Sequence, residues 1–474
     1  MVRGYILTAA QSTYYKKFDK NTGEEVLLKW GGKGNSAVLN ENLYKGLRTF
    51  AKERDAELRI LPIQGKMIRE NQLHESLRDL PELYDWSKHE KLNRNISQSN
   101  IRVPPQNVDP ATSRQHLPAK YRSTLVYPHS KQRLLTVASF NSQLPRLLAT
   151  TGCLTTPNYN RKNDKGDQAV RDHVMGALYV EIINETHYNL RFLTSTKNGK
   201  FVDMGKTYDG TRRTTKAGIE ALVLGDIHWG EHEQKTIEAN YEMIDFFKPK
   251  RLILHDFFNG GSISHHEANK PLYRAKKYNS GGLILEQELK SLFTEMIHLS
   301  KMMGKRKIEI VHSNHDDFLP KYLEAGEWRN HDLWNAELCH TLGGRIISNN
   351  VAEDMYLKEA LSMFGKIPSN VHFLGLRSDL KPQGFQLASH GHKGINGARG
   401  GKANSREKSL GKSISGHTHA PEQFRDAYIV GTSSRTDLEY MAGSSSSAMA
   451  ANAVLYNNGK VQILPVIKGK WGKD

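Results

Sequence analysis

Three short apolar runs in the second half of the chain are separated by segments with the spacing of amphipathic helices. The apolar runs lie at 221–224, 251–254 and 308–311, and the helical segments lie at about 233–247 and 283–303. Alternation of strand and helix is typical of a mostly parallel sheet. Because the carboxyl ends of parallel strands meet at one edge, the polar residues after each run are predicted to lie close together.

The first half of the chain predicts a second α/β region. The segments predicted as strands are 5–10, 57–62, 177–183, 188–194 and 201–204. Helical spacing over 40–54 places a helix between the first two strands and indicates a β-α-β unit. Prolines interrupt the polar stretch 63–130, which is predicted to form loops and short helices. The glycine-rich segment 30–36 lacks the spacing of a phosphate-binding loop and is interpreted as a basic loop.

Length and composition predict a basic protein of two domains. At 474 residues the chain exceeds what one core usually serves, and we place the boundary near residue 215, giving domains 1–215 and 216–474. A net charge of +17 suggests a polyanionic partner, with nucleic acid first and an anionic membrane surface second, although solubility alone also explains it. Two cysteines exclude a disulfide framework. No run suggests a signal peptide or a membrane insertion, so a cytoplasmic location is expected.

Five polar clusters follow apolar stretches and carry side chains that bind metals. They are Asp226 with His228, Asp256 with Asn259, Asn314 with His315 and Asp316, His390 with His392, and His417 with His419. Side chains two apart on a strand point the same way, so Asp226 and His228 can hold one ion together. Surface histidines explain any single cluster, but not five at successive strand ends. Carboxylate, imidazole and amide donors suit Mn, Zn, Fe or Ni, with Mg as a further candidate.

The ordered clusters resemble the calcineurin-like metallophosphoesterases over roughly residues 219–465. The resemblance implies an αββα sandwich with two divalent ions at the strand ends, manganese first, preceded here by a separate α/β domain. It assigns one ion to Asp226, His228, Asp256 and His419, and the other to Asp256, Asn314, His390 and His417. Asp256 would therefore bridge the two ions. The sequence departs from the family at His255 and Ser313, where glycine is usual, so a side chain there could crowd the pocket or add a contact.

The resemblance also suggests a mechanism. Two such ions lower the pKa of a bridging water, so that the resulting hydroxide attacks the phosphoester, and they stabilise both the attacking and the leaving oxygen. His315, beside Asn314 but outside both ligand sets, is the candidate catalytic residue that stabilises the transition state or protonates the leaving oxygen. Asp316 is the candidate for orienting His315.

Basic and polar residues near the clusters are candidates for substrate binding. They are His265, His266, Arg274, Lys276 and Lys277 between the second and third clusters, and His392, Lys393, Arg399 and Lys402 in and after the fourth. Cations and glycine amides bind phosphates, and neighbouring tyrosines can stack on bases. An ordinary solvated surface explains either loop nearly as well when it is taken alone.

Three further segments resemble phage metallophosphoesterases of the DNA-transfer type: Tyr5–Gln11, His255–Gly260 and Ser264–Glu267. That resemblance implies a DNase acting in the cytoplasm of an infected bacterium. The leading hypothesis is a manganese-dependent DNase whose amino-terminal domain binds DNA or mediates homo-oligomerisation. A phosphomonoesterase or nucleotide phosphodiesterase is the enzymatic alternative, and a non-catalytic nucleic-acid-binding protein is the third hypothesis.

Overall fold

In the computed structural model, the chain is described over residues 3–29, 36–63, 71–85, 88–140, 144–161, 164–436 and 443–472. Nearly all of the basic loop predicted at 30–36 lies outside these residues. The strands, in chain order, are β1 (Gly4–Ala10), β2 (Tyr14–Phe18), β3 (Glu25–Lys29), β4 (Ala56–Pro62), β5 (Asn71–Gln72), β6 (Glu90–Lys91), β7 (Ile96–Gln98), β8 (Thr124–Tyr127), β9 (Arg133–Val137), β10 (Ser139–Phe140), β11 (Arg146–Thr150), β12 (Gly176–Ile182), β13 (Tyr188–Thr194), β14 (Phe201–Asp203), β15 (Lys206–Tyr208), β16 (Thr215–Lys216), β17 (Ile219–Val223), β18 (Arg251–Leu254), β19 (Lys307–Val311), β20 (Val371–Leu374), β21 (Ser413–Ser415), β22 (Glu422–Phe424), β23 (Ala427–Ile429), β24 (Ser445–Ser446), β25 (Ala451–Tyr456) and β26 (Val461–Pro465). The α-helices are α1 (Glu41–Glu53), α2 (Glu75–Arg78), α3 (Leu117–Tyr121), α4 (Asp164–Asp172), α5 (Gln234–Phe247), α6 (Pro271–Asn279), α7 (Leu285–Met303), α8 (Phe318–Ala325), α9 (Ala336–Ser348), α10 (Tyr356–Ser362) and α11 (Ala403–Leu410).

A six-stranded sheet forms the centre of the second half. Its order is β20-β19-β18-β17-β25-β26, with parallel pairing from β20 to β17 and antiparallel pairing beyond β17. Alternate residues of β17 face opposite sides of the sheet. Leu222 packs with Ile237 of α5 and Leu289 of α7, whereas Val223 belongs to a different apolar cluster on the other face. The strands predicted at 221–224, 251–254 and 308–311 and the helices predicted at about 233–247 and 283–303 are confirmed. The apolar stretch before His390, also expected to end a strand, forms only an isolated bridge at Gln386.

The other face of this sheet is covered by strands from both halves of the chain. An eight-stranded sheet has the order β21-β23-β22-β9-β11-β8-β7-β6, so strands from before residue 215 continue directly into strands from after residue 400. The junction is β9 against β22, where the buried Arg133 donates to Glu422 at 2.7 Å and to the Gln423 carbonyl at 2.9 Å. The first half is α/β, as predicted, but it is not structurally separate, because its strands complete this sheet.

The predicted β-α-β unit is present at the start of the chain. Strands β1 and β4 pair in parallel, and α1 packs Leu43, Leu47 and Phe50 against them. The Asn40 side chain begins the helix by accepting from the Leu43 amide at 3.0 Å. The interpretation of 63–130 as loops and short helices was wrong in part, because β6, β7 and β8 belong to the eight-stranded sheet. These strands have two to four residues, too few to show an alternating pattern.

Helices also cover the outer side of the second sheet layer. Helix α1 packs on the four-stranded sheet β13-β12-β1-β4, and α3 and α11 pack on the eight-stranded sheet. The fold is therefore mixed α/β, with two sheet layers between helices. Within the described ranges, each helix is either too short or too polar to cross a lipid bilayer.

A buried carboxyl on α7 makes stability depend on pH. Glu295 accepts a hydrogen bond from the Tyr241 hydroxyl at 2.8 Å, and burial raises the pKa of Glu295 to about 7. Because this pKa lies above that of the unfolded chain, the folded form loses stability as the pH rises from about 4.5 to about 7.

Substitution Glu295→Gln should remove this loss while keeping an acceptor for Tyr241. We expect the variant to exceed the wild type in stability by about 2 kcal/mol at pH 8, since a pKa unit is worth about 1.4 kcal/mol and screening by solvent reduces the effect. At pH 4 the gain should nearly vanish. Paired thermal melts of both proteins at the two pH values measure it, and an equal shift at both would contradict the assignment.

Candidate metal centre

The predicted metal ligands meet where strands of both sheet layers end. The strand ends carry Asp226 after β17, Asp256 after β18, Asn314 after β19, and His417 and His419 after β21. The parallel pairing of β17 and β18 extends into the ligand segments, because the His228 amide donates to the Asp256 carbonyl at 2.7 Å. The backbone of one strand end thus fixes the position of the other. His390 reaches the same place from the segment between β20 and α11.

The first group consists of Asp226, His228, Asp256 and His419. One donor atom from each lies within 4.8 Å of the others. The Nε2 atoms of His228 and His419 are 3.0 Å apart, and His419 Nε2 is 3.3 Å from Asp226 Oδ2. His228 Nε2 is 3.5 Å from Asp256 Oδ2. The prediction that these residues form a cluster able to hold a metal ion is confirmed.

The structure also brings together the second predicted group, Asp256, Asn314, His390 and His417. His390 Nε2 is 3.1 Å from Asp256 Oδ2 and 3.1 Å from Asn314 Oδ1. His417 Nδ1 is 3.0 Å from the same amide oxygen. A single oxygen, Asp256 Oδ2, therefore lies next to an imidazole of each group.

These donor spacings fit divalent ions. Neighbouring donors around an octahedral ion with bonds of about 2.1 Å are about 3 Å apart, and the shortest distances within both groups have this value. The buried Oδ1 atoms of Asp226 and Asp256 have no hydrogen-bond partner among the described residues. Unpaired buried carboxylate oxygens are costly, and a cation removes that cost. The donors present therefore suit metal binding.

The protonation of the histidines agrees with this role. Burial lowers the pKa of His417 to about 3 and that of His419 to about 4, and it lowers the pKa of His228 well below its usual value. Neutral imidazoles have a lone pair available for a metal. Burial and the adjacent Asp256 raise the pKa of Asp226 well above its usual range, because two neighbouring buried anions repel.

Backbone strain is concentrated at the same residues. Four of the seven predicted ligands have a left-handed backbone: His228 (φ 49°), Asp256 (φ 43°), His417 (φ 79°) and His419 (φ 56°). Such conformations cost about 1–3 kcal/mol each for residues other than glycine and cluster at functional sites. The strand ends are therefore held in conformations that aim these side chains at one point.

Because Gly416 has no side chain, the Asp226 carboxylate can lie directly against it. A Cβ atom added to Gly416 would lie 1.9 Å from Asp226 Oδ1 and 3.1 Å from the Cβ of His255. Asp226 cannot rotate freely, because its Oδ2 accepts from the His417 amide at 2.6 Å. Gly416→Ala should weaken metal affinity roughly 10- to 100-fold, the range found when residues that orient metal ligands are changed. Calorimetric titration of the metal-free protein with Mn measures the affinity.

Gly343→Ala is the matched control for Gly416→Ala. A Cβ at Gly343 in α9 meets no atom within 4 Å in the described structure. We expect unchanged metal affinity and slightly higher helix stability. Equal metal affinities in the two variants would show that the contact with Asp226 is unimportant.

His315 lies beside the first group. Its ring centroid is 4.5 Å from that of His228, and its Nδ1 is 2.6 Å from the Asn259 carbonyl. That carbonyl accepts from Nδ1, so Nε2 is the nitrogen that can exchange a proton. The predicted role of Asp316 in orienting His315 requires a contact between them, and no hydrogen bond joins the two among the described residues. The Asp316 carboxylate accepts from the Ser313 amide at 2.9 Å and lies 3.8 Å from His312 Nδ1, and burial raises its pKa to about 7.

A cleft of about 960 Å³ opens over the metal groups. Its lining includes His228, Asn259, Asn314, His315 and His419 together with His266, Lys270, Tyr273, Lys277 and Arg435. Of the predicted substrate-binding residues, His266 and Lys277 lie here. Another cavity, of about 710 Å³ around Lys305 and Lys366, includes none of the predicted site residues.

The remaining predicted substrate-binding residues lie elsewhere. Arg274 forms an ion pair with Asp332, His265 packs edge-on against Phe318, and Lys276 is exposed on α6 outside the cleft lining. Lys393, Arg399 and Lys402 are exposed on the loop after His392 and also lie outside the cleft lining. The His392 ring lies 6.2 Å from that of His417, and its nitrogens have no hydrogen-bond partner among the described residues.

Two arginines that the sequence reasoning missed lie at the site. Arg435 lines the cleft and is paired with Glu231. Arg406 is buried behind the ligand loops, where it donates to the Ser415 hydroxyl and to the Gly391 carbonyl. An isolated arginine in a polar segment has no sequence signal of its own, so only the fold reveals these positions. His255, noted for replacing a glycine, is fully buried with its ring 5.5 Å from that of His390.

Comparison with known proteins gives one phage relative. Over 348 residues, the chain is 29% identical to Protein A1 of Escherichia phage T5. The similarity covers 71% of this chain and 61% of that relative, so the chain spans about three fifths of the relative's length. No family model matches the sequence, and no solved structure matches it. The chain is thus similar to a phage protein over most of its length.

Proposed function

We propose that this chain is a calcineurin-like phosphodiesterase that hydrolyses DNA with two divalent ions. The observation that carries the proposal is Asp256 Oδ2, which lies 3.5 Å from His228 Nε2 and 3.1 Å from His390 Nε2. A carboxylate shared by two donor groups is what a two-ion phosphoester hydrolase needs. The layering of two sheets between helices supports the αββα sandwich that the resemblance implies.

Each part of the site has a task in this reaction. When bound, two divalent ions supply an activated water and neutralise charge on the phosphate. Asp226 and Asp256 supply the negative charge that retains the cations. His315 moves a proton at Nε2 toward the leaving oxygen, with Nδ1 fixed by the Asn259 carbonyl. Lys270 and Lys277 line the cleft and attract the phosphate backbone.

Several features support nucleic acid as the substrate. The net charge of +17 favours a polyanion, and the cleft lining carries three cations, Lys270, Lys277 and Arg435, against the two acids Glu231 and Glu267. DNA is chosen because of the resemblance to phage DNA-transfer-type enzymes, and the phage T5 relative agrees with an origin in phage. Manganese is the first choice because the donors are imidazoles, carboxylates and an amide. The reaction would then take place in the host cytoplasm.

The proposal is tested by comparing substrates side by side. Protein loaded with Mn is assayed on plasmid, linear duplex, single-stranded DNA and p-nitrophenyl phosphate, with and without EDTA. We expect metal-dependent DNA cleavage, and Asp256→Asn protein purified in parallel excludes a contaminating nuclease. Hydrolysis of the small ester alone would establish a phosphomonoesterase instead. Inactivity with Mn, Mg, Zn, Fe and Ni, combined with DNA binding, would establish a binding protein.

A further inference from the structure

An exposed apolar and aromatic surface lies on α6 and the 3-10 turn that directly precedes α9. Its members, here called the aromatic patch, are Leu272, Tyr278, Leu333 and Trp334, with exposed fractions of 81%, 46%, 67% and 38%. The rings of Tyr278 and Trp334 pack with centroids 4.5 Å apart, and Trp334 Nε1 donates to the Leu283 carbonyl at 2.9 Å. The polar edge of the indole is therefore satisfied, while part of its ring surface faces solvent.

Positive charge predominates on the α6 side of the aromatic patch. The segment 268–280 contains Lys270, Arg274, Lys276 and Lys277 and no acidic residue. Arg274 is paired with Asp332 and Lys277 with Glu267, whereas Lys270 and Lys276 are exposed. Exposed aromatic rings among cations are the combination that binds single-stranded nucleic acids, because bases stack on the rings and phosphates bind the cations.

Helix α6, which carries Leu272 and Tyr278 of the patch, also borders the metal cleft. Lys270, Tyr273 and Lys277, which belong to α6 or directly precede it, line the cleft together with His228 and His315. Lys277 Nζ donates to the Gly261 carbonyl at 2.8 Å, so the helix is fixed to the segment that follows Asp256. A strand lying along α6 would therefore extend from the aromatic patch to the metal groups.

We infer that the aromatic patch binds unpaired nucleotides of the strand whose phosphodiester enters the metal cleft. This inference rests on the proposed function, and it adds a preference among substrates. Stacking requires an open base face, which an intact duplex offers only at its ends. The protein should therefore prefer single strands, gaps and frayed ends to closed duplex.

A second copy of the chain is a less suitable occupant of this surface. In a twofold dimer the same patch would face itself. The exposed Lys270 and Lys276 of one copy would then approach those of the other, and like charges oppose association. A nucleic acid strand supplies the opposite charge.

Binding measurements test the inference independently of catalysis. Fluorescence anisotropy in EDTA, and again with Ca²⁺, compares a labelled oligothymidylate with a duplex closed by a hairpin loop at each end. Trp334→Ala and Tyr278→Ala should each weaken binding to the oligothymidylate roughly tenfold, the loss of about one base stack, and should change duplex binding much less. Trp334→Phe should keep most of the affinity, because a ring face remains.

Tyr121→Ala is the matched control. Tyr121 is 39% exposed on α3, and the Lys120 ammonium lies 5.8 Å from its ring, so it reproduces an exposed tyrosine beside a lysine. We expect unchanged binding for this variant. Equal losses on both DNAs, or unchanged affinity together with an altered oligomeric state in light scattering, would overturn the inference. Absence of hydrolysis by the wild type would count against the proposed function alone, because these affinities need no turnover.

Discussion

Asp256→Asn is expected to remove at least one metal ion per chain and nearly all activity. The substitution keeps the volume of the side chain but removes the charge from the oxygen that lies 3.5 Å from His228 Nε2 and 3.1 Å from His390 Nε2. A neutral amide is a poor ligand for two cations at once. We expect the rate to fall roughly 10³-fold or more, the equivalent of about 4 kcal/mol of lost charge stabilisation. Elemental analysis of dialysed protein and plasmid cleavage measure the two effects.

The stability of the metal-free protein separates this effect from misfolding. Burial alone would raise the pKa of Asp256, but the imidazoles of His390, His315 and His228 hold it well below its usual range. Loss of that charge should therefore lower the melting temperature in EDTA, and the deficit should widen with Mn, since only the wild type gains from tight metal binding. A deficit of the same size with and without Mn would indicate a purely structural role for Asp256.

Glu220→Gln is the matched control for Asp256→Asn. Glu220 is also a buried carboxylate on the six-stranded sheet, but it lies near the amino end of β17, where Lys250 is 2.9 Å and Arg251 3.3 Å away. Loss of the Glu220 charge should lower the stability of the protein without changing its metal content. Equal metal loss in both variants would show that any buried carboxylate of this sheet supports the site indirectly.

The first metal group could be predicted because potential metal ligands come soon after the ends of apolar strands. Apolar strands of four or five residues end close to Asp226, Asp256 and Asn314, and parallel pairing necessarily gathers such ends at one edge. The ligand set drawn from the family resemblance then included His419, which the structure places 3.0 Å from His228. The apolar pattern of each strand and the parallel pairing of the sheet pointed to the same place, so the sequence was sufficient to predict this metal group.

The relation between the two halves could not be predicted in this way. Strand β22 has three residues, and nothing in them indicates pairing with β9, almost 300 positions earlier. The pairing depends on the buried Arg133, whose guanidinium is satisfied by Glu422 and Asp109. An arginine in an apolar strand looks like a solvent-facing residue until its distant partners are known. The hydrogen bond that the Asp316 carboxylate accepts from the Ser313 amide was likewise not evident from the sequence.

His315→Ala is expected to lower turnover on DNA strongly while leaving the metal content unchanged. None of the short donor contacts within the two groups involves His315, so its removal leaves them intact. General acid catalysis typically contributes about 10²–10⁴-fold, and a loss of this size is expected for a leaving deoxyribose oxygen. His298→Ala, an exposed histidine on α7, is the control and should retain full activity.

The leaving group reveals how His315 acts. A p-nitrophenolate leaves without a proton near neutral pH, whereas a deoxyribose alkoxide needs one. If His315 Nε2 donates that proton, His315→Ala should reduce cleavage of bis(p-nitrophenyl) phosphate far less than cleavage of DNA. Equal losses on both substrates would assign His315 to stabilising charge on the phosphate, and loss of metal would assign it to the architecture of the site. The Asn259 carbonyl favours the first outcome, because holding Nδ1 at 2.6 Å orients Nε2 before the substrate arrives.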